Sequence, residues 1–273
     1  MSAELFDLRG RVAAVTGALG LLGREHAAAL AEAGASLALA DLDGEAAAAM
    51  AEGVAGRHGV EAIGVGVDVV SPQSLDAFRA RIQAHLGRLD VLVNNAAAND
   101  RVESPDLAPE LTRFEHYPVS EWHRVINVNV TGVFLASQVL GSLMLEQRRG
   151  SVINIASTYG VVGPDQSLYR TADGTQTFWK SPAYPASKGA VIAFTRYLAA
   201  YWGAAGIRVN ALSPGGVLNR QDRFFVANYS RRTPLGRMAA PSDYRGALVF
   251  LASDASSYMT GANLVVDGGF TAW

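Results

Sequence analysis

The chain predicts an α/β fold: a doubly wound, all-parallel sheet of about seven strands with helices on both faces. Three observations point to it. Short apolar runs alternate with longer helical patterns from one end of the sequence to the other. The strand runs are nearly continuous in apolar residues rather than alternating, as expected when both faces of a sheet are covered. A glycine-rich turn joins the first strand directly to the first helix. With 273 residues, 49% of them hydrophobic, the chain can fill one large core. No linker, low-complexity stretch or internal repeat divides it, so residues 1–273 are expected to form a single domain.

Taken in order, Val12–Thr16, Ser36–Ala40, Ala62–Val67, Val91–Val93, Ser151–Ala156, Arg208–Leu212 and Asn263–Val266 read as strands. Between them Leu22–Ala33, Glu45–His58, Pro72–Leu86, Ser120–Glu146, Tyr184–Trp202 and Pro241–Ala252 read as helices. The most apolar of these, Val130–Leu145, is interrupted by Thr131, Ser137, Gln138 and Ser142 and is expected to be a buried helix too short to cross a bilayer.

A net charge of −2 with mixed signs gives no electrostatic footprint for nucleic acid or an anionic membrane. Small molecules and copies of the chain itself remain as expected partners. Absence of cysteine excludes disulfides, thiolate zinc sites and cysteine nucleophiles. The five histidines lack metal-ligand spacing, so no metal is expected. Met1–Arg11 has acidic residues and no apolar run, unlike a signal or transit peptide, and a cytoplasmic protein is the simplest expectation.

After the first strand comes Thr16-Gly17-Ala18-Leu19-Gly20-Leu21-Leu22-Gly23, opening into a helix at Arg24. Glycines there permit a tight turn, close approach of backbone N–H groups to a pyrophosphate, and close packing of helix on strand. Asp41 ends the second strand 24 residues after Gly17, where a carboxylate can bond adenosine ribose hydroxyls and repel a 2′-phosphate. No cation lies between Gly17 and Gly23 or closely after Asp41, so NAD is expected over NADP.

Tyr184 and Lys188 stand four residues apart at the start of a predicted helix, and so share a face. For tyrosine to carry a proton at neutral pH its anion needs stabilising by about 3 pH units, about 4 kcal/mol. The ammonium of Lys188 is a suitable source.

These residues occur with others in a fixed order. Asp68 follows the third strand, Asn94-Asn95-Ala96-Ala97 the fourth, and Asn129-Val130-Thr131-Gly132, Ser157, Pro214-Gly215 and Val266-Asp267-Gly268-Gly269 come after. The set resembles the short-chain dehydrogenase/reductases from about Arg11 to Gly269 and implies their Rossmann-type fold. By that resemblance Tyr184 is the general acid/base, Lys188 lowers its pKa and bonds the nicotinamide ribose, Ser157 orients the reacting oxygen, and Asn129 holds a relay water. It places the cofactor along Gly17, Leu19, Gly20, Leu22, Gly23 and Asp41, then Asp68, Val69, Asn94, Asn95, Ala96 and Ala97. Pro214, Gly215, Val217, Tyr184 and Lys188 complete that list. Related enzymes are often dimers or tetramers built on the long fifth and sixth helices, and the apolar tail ending in Trp273 is expected at such an interface.

The chain departs from the pattern at three points. The middle glycine sits at Gly20 where the short branch of the family has it at the position of Leu21, a spacing like that of the extended branch. Asn219 replaces a threonine often found after Pro-Gly-x-Val-x. Ser157 and Tyr184 are 27 residues apart, about twice the family's usual spacing. The insertion, Thr158–Ala183, carries Tyr159, Tyr169, Phe178 and Trp179 among donors and acids, which suits a sugar ring or base but also a loop cluster. Leu218–Arg237 holds five arginines, Arg220 and Arg223 among them, against Asp222; Ala97–Val119 holds five acids, including Asp100, Glu103 and Asp106, against Arg101 and Arg113. The arginines could grip an anion, or the two loops could pair across the cleft. Tyr159, Trp179, Arg220 and Arg223 are therefore the candidate substrate contacts.

Local wording near Thr233–Met238 and Ser256–Leu264 resembles short-chain enzymes of surface-sugar biosynthesis. An NAD-dependent oxidoreductase for secondary alcohols is the leading expectation. A sugar isomerase or lyase with transiently reduced NAD, or a non-catalytic NAD-binding protein, stands against it.

Overall fold

A computed structural model describes residues 4–100, 107–176 and 178–273. Its strands are β1 (Val12–Thr16), β2 (Ser36–Asp41), β3 (Ala62–Gly66), β4 (Val91–Asn94), β5 (Gly150–Ile155), β6 (Ile207–Pro214) and β7 (Asn263–Val266). They form one sheet in the order β3-β2-β1-β4-β5-β6-β7, and every pairing is parallel. The order reverses between β1 and β4, which opens a crevice at their carboxyl ends. The helices are α1 (Leu21–Glu32), α2 (Gly44–His58), α3 (Pro72–Leu86), α4 (Pro109–Thr112), α5 (Val119–Ile126), α6 (Gly132–Gln147), α7 (Ala183–Trp202), α8 (Arg223–Arg232) and α9 (Arg245–Ala252).

Two cores account for the continuous apolar strands. Ala13 and Val15 of β1, with Leu37 and Leu39 of β2, pack against Leu30, Val54 and Leu248 from α1, α2 and α9. Their neighbours Val12, Ala14, Ala38 and Ala40 face Phe78, Ile82, Leu140 and Trp202 on the other side. Successive strand residues point to opposite faces, so a sheet covered twice needs apolar residues at both parities.

Local signals set the element ends. Asp43 caps α2 by accepting from Ala46 N–H, and Ser71 caps α3 by accepting from Ser74 N–H, with Pro72 following at the first helical position. Gly59 and Gly87 end those helices at φ of 67° and 72°, where a Cβ would be strained.

Two elements depart from expectation. Val119–Gln147 is helical throughout, 29 residues passing through a π-turn at Asn127–Thr131, and is by length and composition long enough to cross a membrane. Half of its most apolar window is nevertheless buried, and α6 packs on α3, β4 and β5, with Ser137 accepting a hydrogen bond from Asn94. Packing, rather than shortness, makes it a core helix. Within the expected arginine loop, α8 forms a helix capped by Asp222, whose carboxylate accepts from Phe224 and Phe225 N–H.

Candidate active site

A cleft of about 780 Å³ runs along the carboxyl edge of the sheet. Its floor at one end is the turn after β1. Gly17 takes φ of 64°, and a Cβ there would lie 2.7 Å from Ala96 Cα. Thr16 Oγ1 accepts from the Asn95 and Ala96 N–H groups, while the Asn95 amide donates to the Thr16 and Gly17 carbonyls. The loops after β1 and β4 are thus clamped together. Gly20 occupies the N-cap of α1, and a Cβ at Gly23 would come within 2.2 Å of the Gly17 carbonyl. Gly23 accordingly serves helix packing and, alone among the expected cofactor positions apart from Asn94, does not line the cleft.

Asp41 lies at the end of β2, and its carboxylate accepts from Leu19 N–H and Leu42 N–H, both at 2.8 Å. One side chain therefore shapes the glycine turn and presents its remaining lone pairs to the cleft. Asp68, Val69, Ala97, Pro214, Gly215 and Val217 also line it as expected. Asn94 does not: it is buried and donates to Ser137 and Asn154, bracing β4 against β5 and α6. A glycine turn in which Gly17 and Gly23 have no room for a Cβ, with a carboxylate one strand away, fits a dinucleotide.

At the centre of the cleft, Ser157 leaves β5 in extended backbone and hydrogen-bonds Tyr184 at the start of α7. Lys188 lies one turn further on, its Nζ 5.7 Å from the Tyr184 ring centroid and donating to the Ile155 carbonyl at 2.6 Å. Burial pushes the Tyr184 phenol up to about 12, with the Ser157 bond opposing, and brings the Lys188 ammonium down to about 8. Burial thus outweighs the Ser157 bond at the phenol, and the Lys188 ammonium is held by the Ile155 carbonyl. Asn129 is wholly buried in the π-turn; its side chain bonds both backbone groups of Ala98 and donates to Ser187 Oγ. It positions the loop after β4 and is not among the cleft-lining residues.

The far end of the cleft comes from the insertion and α8. Tyr159 lines it, its hydroxyl 3.2 Å from that of Tyr169. Leu168, Tyr169, Phe178, Phe225, Tyr229, Met238 and Phe270 form a separate apolar cluster, so the insertion both packs and shapes the cleft. Three other expected contacts lie elsewhere. Trp179 stacks under the Arg113 guanidinium, 5.3 Å away, and neither Arg220 nor Arg223, both exposed, lines the cleft.

Among the described residues the two charged loops do not pair with each other: Arg232 pairs with Asp165 of the insertion, Arg237 with Asp243, and Arg113 with Glu110 and Glu115. Arg101, Glu103 and Asp106 lie outside the described residues. In the tail, Phe270 stacks on Tyr229 at 4.7 Å within its own chain, whereas Trp273 is 76% exposed. Phe225, Tyr229, Gln221 and Lys180 were absent from the expected contacts, although all line the cleft. Asp222 followed by Phe225 and Tyr229, a cap and an i, i+4 aromatic pair, was the signal for the first two.

A family model described as enoyl-(acyl carrier protein) reductase matches residues 17–271. D-threitol dehydrogenase of Mycolicibacterium smegmatis is 36% identical over 271 residues, spanning 97% of this chain and 95% of that protein. The structure of gluconate 5-dehydrogenase from Burkholderia cenocepacia, in complex with NADP and tartrate, matches with a TM-score of 0.87 and 31% identity over 100% of both chains. An NAD+-bound xylitol dehydrogenase matches with a TM-score of 0.83 and 30% identity, over 96% of this chain and 99% of the other. These names lend no support to a link with surface-sugar biosynthesis. On matches that run the length of the sheet and through Tyr184 and Lys188, the chain belongs to the short-chain dehydrogenase/reductase family.

Proposed function

We propose that this protein is an NAD-dependent oxidoreductase that interconverts a secondary alcohol and a ketone on a polyol or sugar acid. The observation that carries this is Tyr184, hydrogen-bonded to Ser157 and flanked by Lys188, facing the same cleft that Asp41 and the glycine turn enter from the other end. In alcohol oxidation Tyr184 takes the hydroxyl proton, and in ketone reduction it returns it. Ser157 donates to the reacting oxygen and Lys188 orients the ribose side of the site; Asn129 holds the loop that leads to it. Gly17–Gly20, Asp41, Asp68 and Gly215 would hold the dinucleotide, whose nicotinamide would supply the hydride acceptor or donor.

Asp41 supports NAD because its carboxylate would repel a 2′-phosphate, and the next residue is Leu42, 77% exposed and uncharged. For the substrate, the polar side chains of Asn99, Lys180, Tyr159, Asn219 and Gln221 line the cleft together with the aromatic side chains of Tyr169 and Phe225. Such a mixture suits a carbon chain bearing several hydroxyls, in keeping with the threitol, xylitol and gluconate in the names of similar proteins. Exposed Phe134, Tyr197 and Tyr201 on α6 and α7 support the expected homodimer or homotetramer. The unusual glycine spacing favours no separate isomerase reading, since Gly20 and Gly23 cap and pack α1.

The test is a panel of polyols, sugar acids and simple secondary alcohols with NAD or NADP, run with wild type and Tyr184→Phe. We expect NAD reduction with a polyol or sugar acid, and a loss of about 10²–10⁴-fold in Tyr184→Phe with cofactor binding retained. A preference for NADP would overturn the reading of Asp41. Altered sugar without net reduction would replace the dehydrogenase by the isomerase, and undiminished turnover in Tyr184→Phe would remove the phenol from the chemistry.

A further inference from the structure

Of the 23 basic side chains in this chain only two are lysines, Lys180 and Lys188, against 21 arginines (23 − 2). They stand four residues before and four residues after Tyr184. Arginine supplies every other side-chain cation, including those on the surface, so an ammonium at these two positions is a chemical choice: a compact point charge where a planar fork would not serve. Lys188 rides on α7, one turn beyond the tyrosine. Lys180 arrives from the insertion, before the helix begins, and the fold brings it to the same ring.

Lys180 is 8% exposed and lines the cleft. Its Nζ lies 4.6 Å from the Tyr184 ring centroid, closer than the 5.7 Å of Lys188. It donates to the Asn99 side-chain oxygen and the Asp100 carbonyl, tying the insertion to the loop after β4. The other groups facing Tyr184 are Ser157 and Tyr159 from the loop after β5, and Tyr169 from the insertion. The Asp100 carboxylate accepts from Tyr117 and lies 3.9 Å from the Arg124 guanidinium. An ammonium over the face of a tyrosine is attracted by the ring and more strongly by its anion.

We propose that Lys180 is a positioning residue of the catalytic centre, a second ammonium that favours the phenolate of Tyr184 while it anchors the insertion beside the substrate. This rests on the assignment of Tyr184 as the proton carrier. It also gives the long insertion a function: it delivers a cation to the reacting phenol from the side that α7 does not reach.

Lys180→Gln removes the charge and keeps an amide donor for Asn99 and Asp100; Lys180→Arg keeps the charge. Alcohol oxidation needs the phenolate, so kcat/KM at saturating NAD rises with pH through the tyrosine's ionisation. In Lys180→Gln that rising limb should move up by about one pH unit, with activity recovering at high pH, and in Lys180→Arg it should stay near the wild-type position. A uniform fall at every pH, with the limb unmoved, would mean that Lys180 is only a structural tether, and would overturn the proposal.

A second check needs no substitution at Lys180. With lysine labelled at Cε, the wild-type NMR spectrum holds two lysine resonances, and the one from Lys180 should show an inflection at the pH of the kinetic limb that disappears in Tyr184→Phe. No such inflection in Lys180 would equally overturn it. If Tyr184→Phe turns over normally, the proton-carrier assignment fails; if it is inactive while both lysine tests are negative, only the role of Lys180 fails.

Discussion

At the cofactor end of the cleft the shaping groups are mostly backbone, and at the substrate end they are mostly side chains. Gly17 turns at φ of 64° against the Ala96 backbone, Gly23 lies against the Gly17 carbonyl, and Asp41 and Thr16 spend their oxygens on main-chain N–H groups. At the other end Tyr159, Tyr169, Phe225 and Tyr229 form the wall, and they are held chiefly by one another in a cluster separate from both sheet cores. Backbone shape tolerates almost no substitution, whereas a wall of side chains can be rebuilt residue by residue. That division lets one end fix a dinucleotide while the other is free to choose the substrate.

The contrast breaks if a change in the glycine turn is harmless. Gly23→Ala should have the largest effect, because its Cβ would meet the Gly17 carbonyl at 2.2 Å and the Ala18 carbonyl at 2.8 Å, and neither is a flexible side chain. The helix must lift from the turn, at an expected cost of about 2–3 kcal/mol and at least about 100-fold in NAD affinity. Gly53→Ala in α2, where nothing lies within 4 Å, is the control and should stabilise by about 0.4–1 kcal/mol. Denaturant melts and NAD titration of both variants decide it: a Gly23→Ala protein that melts and binds like wild type would show that the close packing is dispensable.

Next in size is a pH effect confined to the same end. His26 in α1 is fully buried, neither ring nitrogen has a hydrogen-bond partner among the described residues, and burial brings its pKa down to about 4. The folded state therefore favours the neutral ring. Its contribution is complete above the unfolded pKa near 6.5 and is lost as pH falls to about 4, by about 3 kcal/mol in all. His26→Leu should flatten stability over that window. Urea melts at pH 7, 5.5 and 4 test this, and an undiminished acid loss in the variant would place its origin in other groups.

How much of each end was legible in the sequence follows the same division. Gly17, Asp41 and Ser157 sit at or just after strand ends, while Tyr184 and Lys188 are marked by their own four-residue spacing at the start of α7; all five line the cleft. Asn94 misled because its neighbour Asn95 faces the cleft, and one step along the chain reverses the side a residue takes. The substrate end was read poorly. Arg220 and Arg223 stood out by charge, yet long exposed side chains are free to point away, and of the arginines around them Arg232 pairs with Asp165 of the insertion and Arg237 with Asp243. Phe225 and Tyr229 were overlooked because a helix of 10 residues inside a basic segment has little apolar signal beyond its cap. In the sequence Lys180 is only one donor among several in the insertion, because its value depends on a fold that returns the insertion to Tyr184, and no local pattern encodes that return.

The smallest expected effect sharpens the comparison from the other side. Phe225 packs on Tyr169 at 5.3 Å between ring centres and on Tyr229 at 6.0 Å, and it lines the cleft while touching neither sheet core. Phe225→Ala should remove part of the substrate wall and leave the glycine turn untouched. We expect KM for the preferred alcohol to rise about 10-fold, consistent with the loss of about 1.4 kcal/mol of apolar contact, and the NAD affinity to stay within about twofold. Stability should fall by less than the 3–5 kcal/mol usual for a deep-core phenylalanine, since this cluster lies outside the sheet. Isothermal titration with NAD beside steady-state kinetics separates the two ends: if NAD affinity falls as far as KM rises, the aromatic cluster supports the whole cleft, and the division between a backbone-built end and a side-chain-built end is wrong.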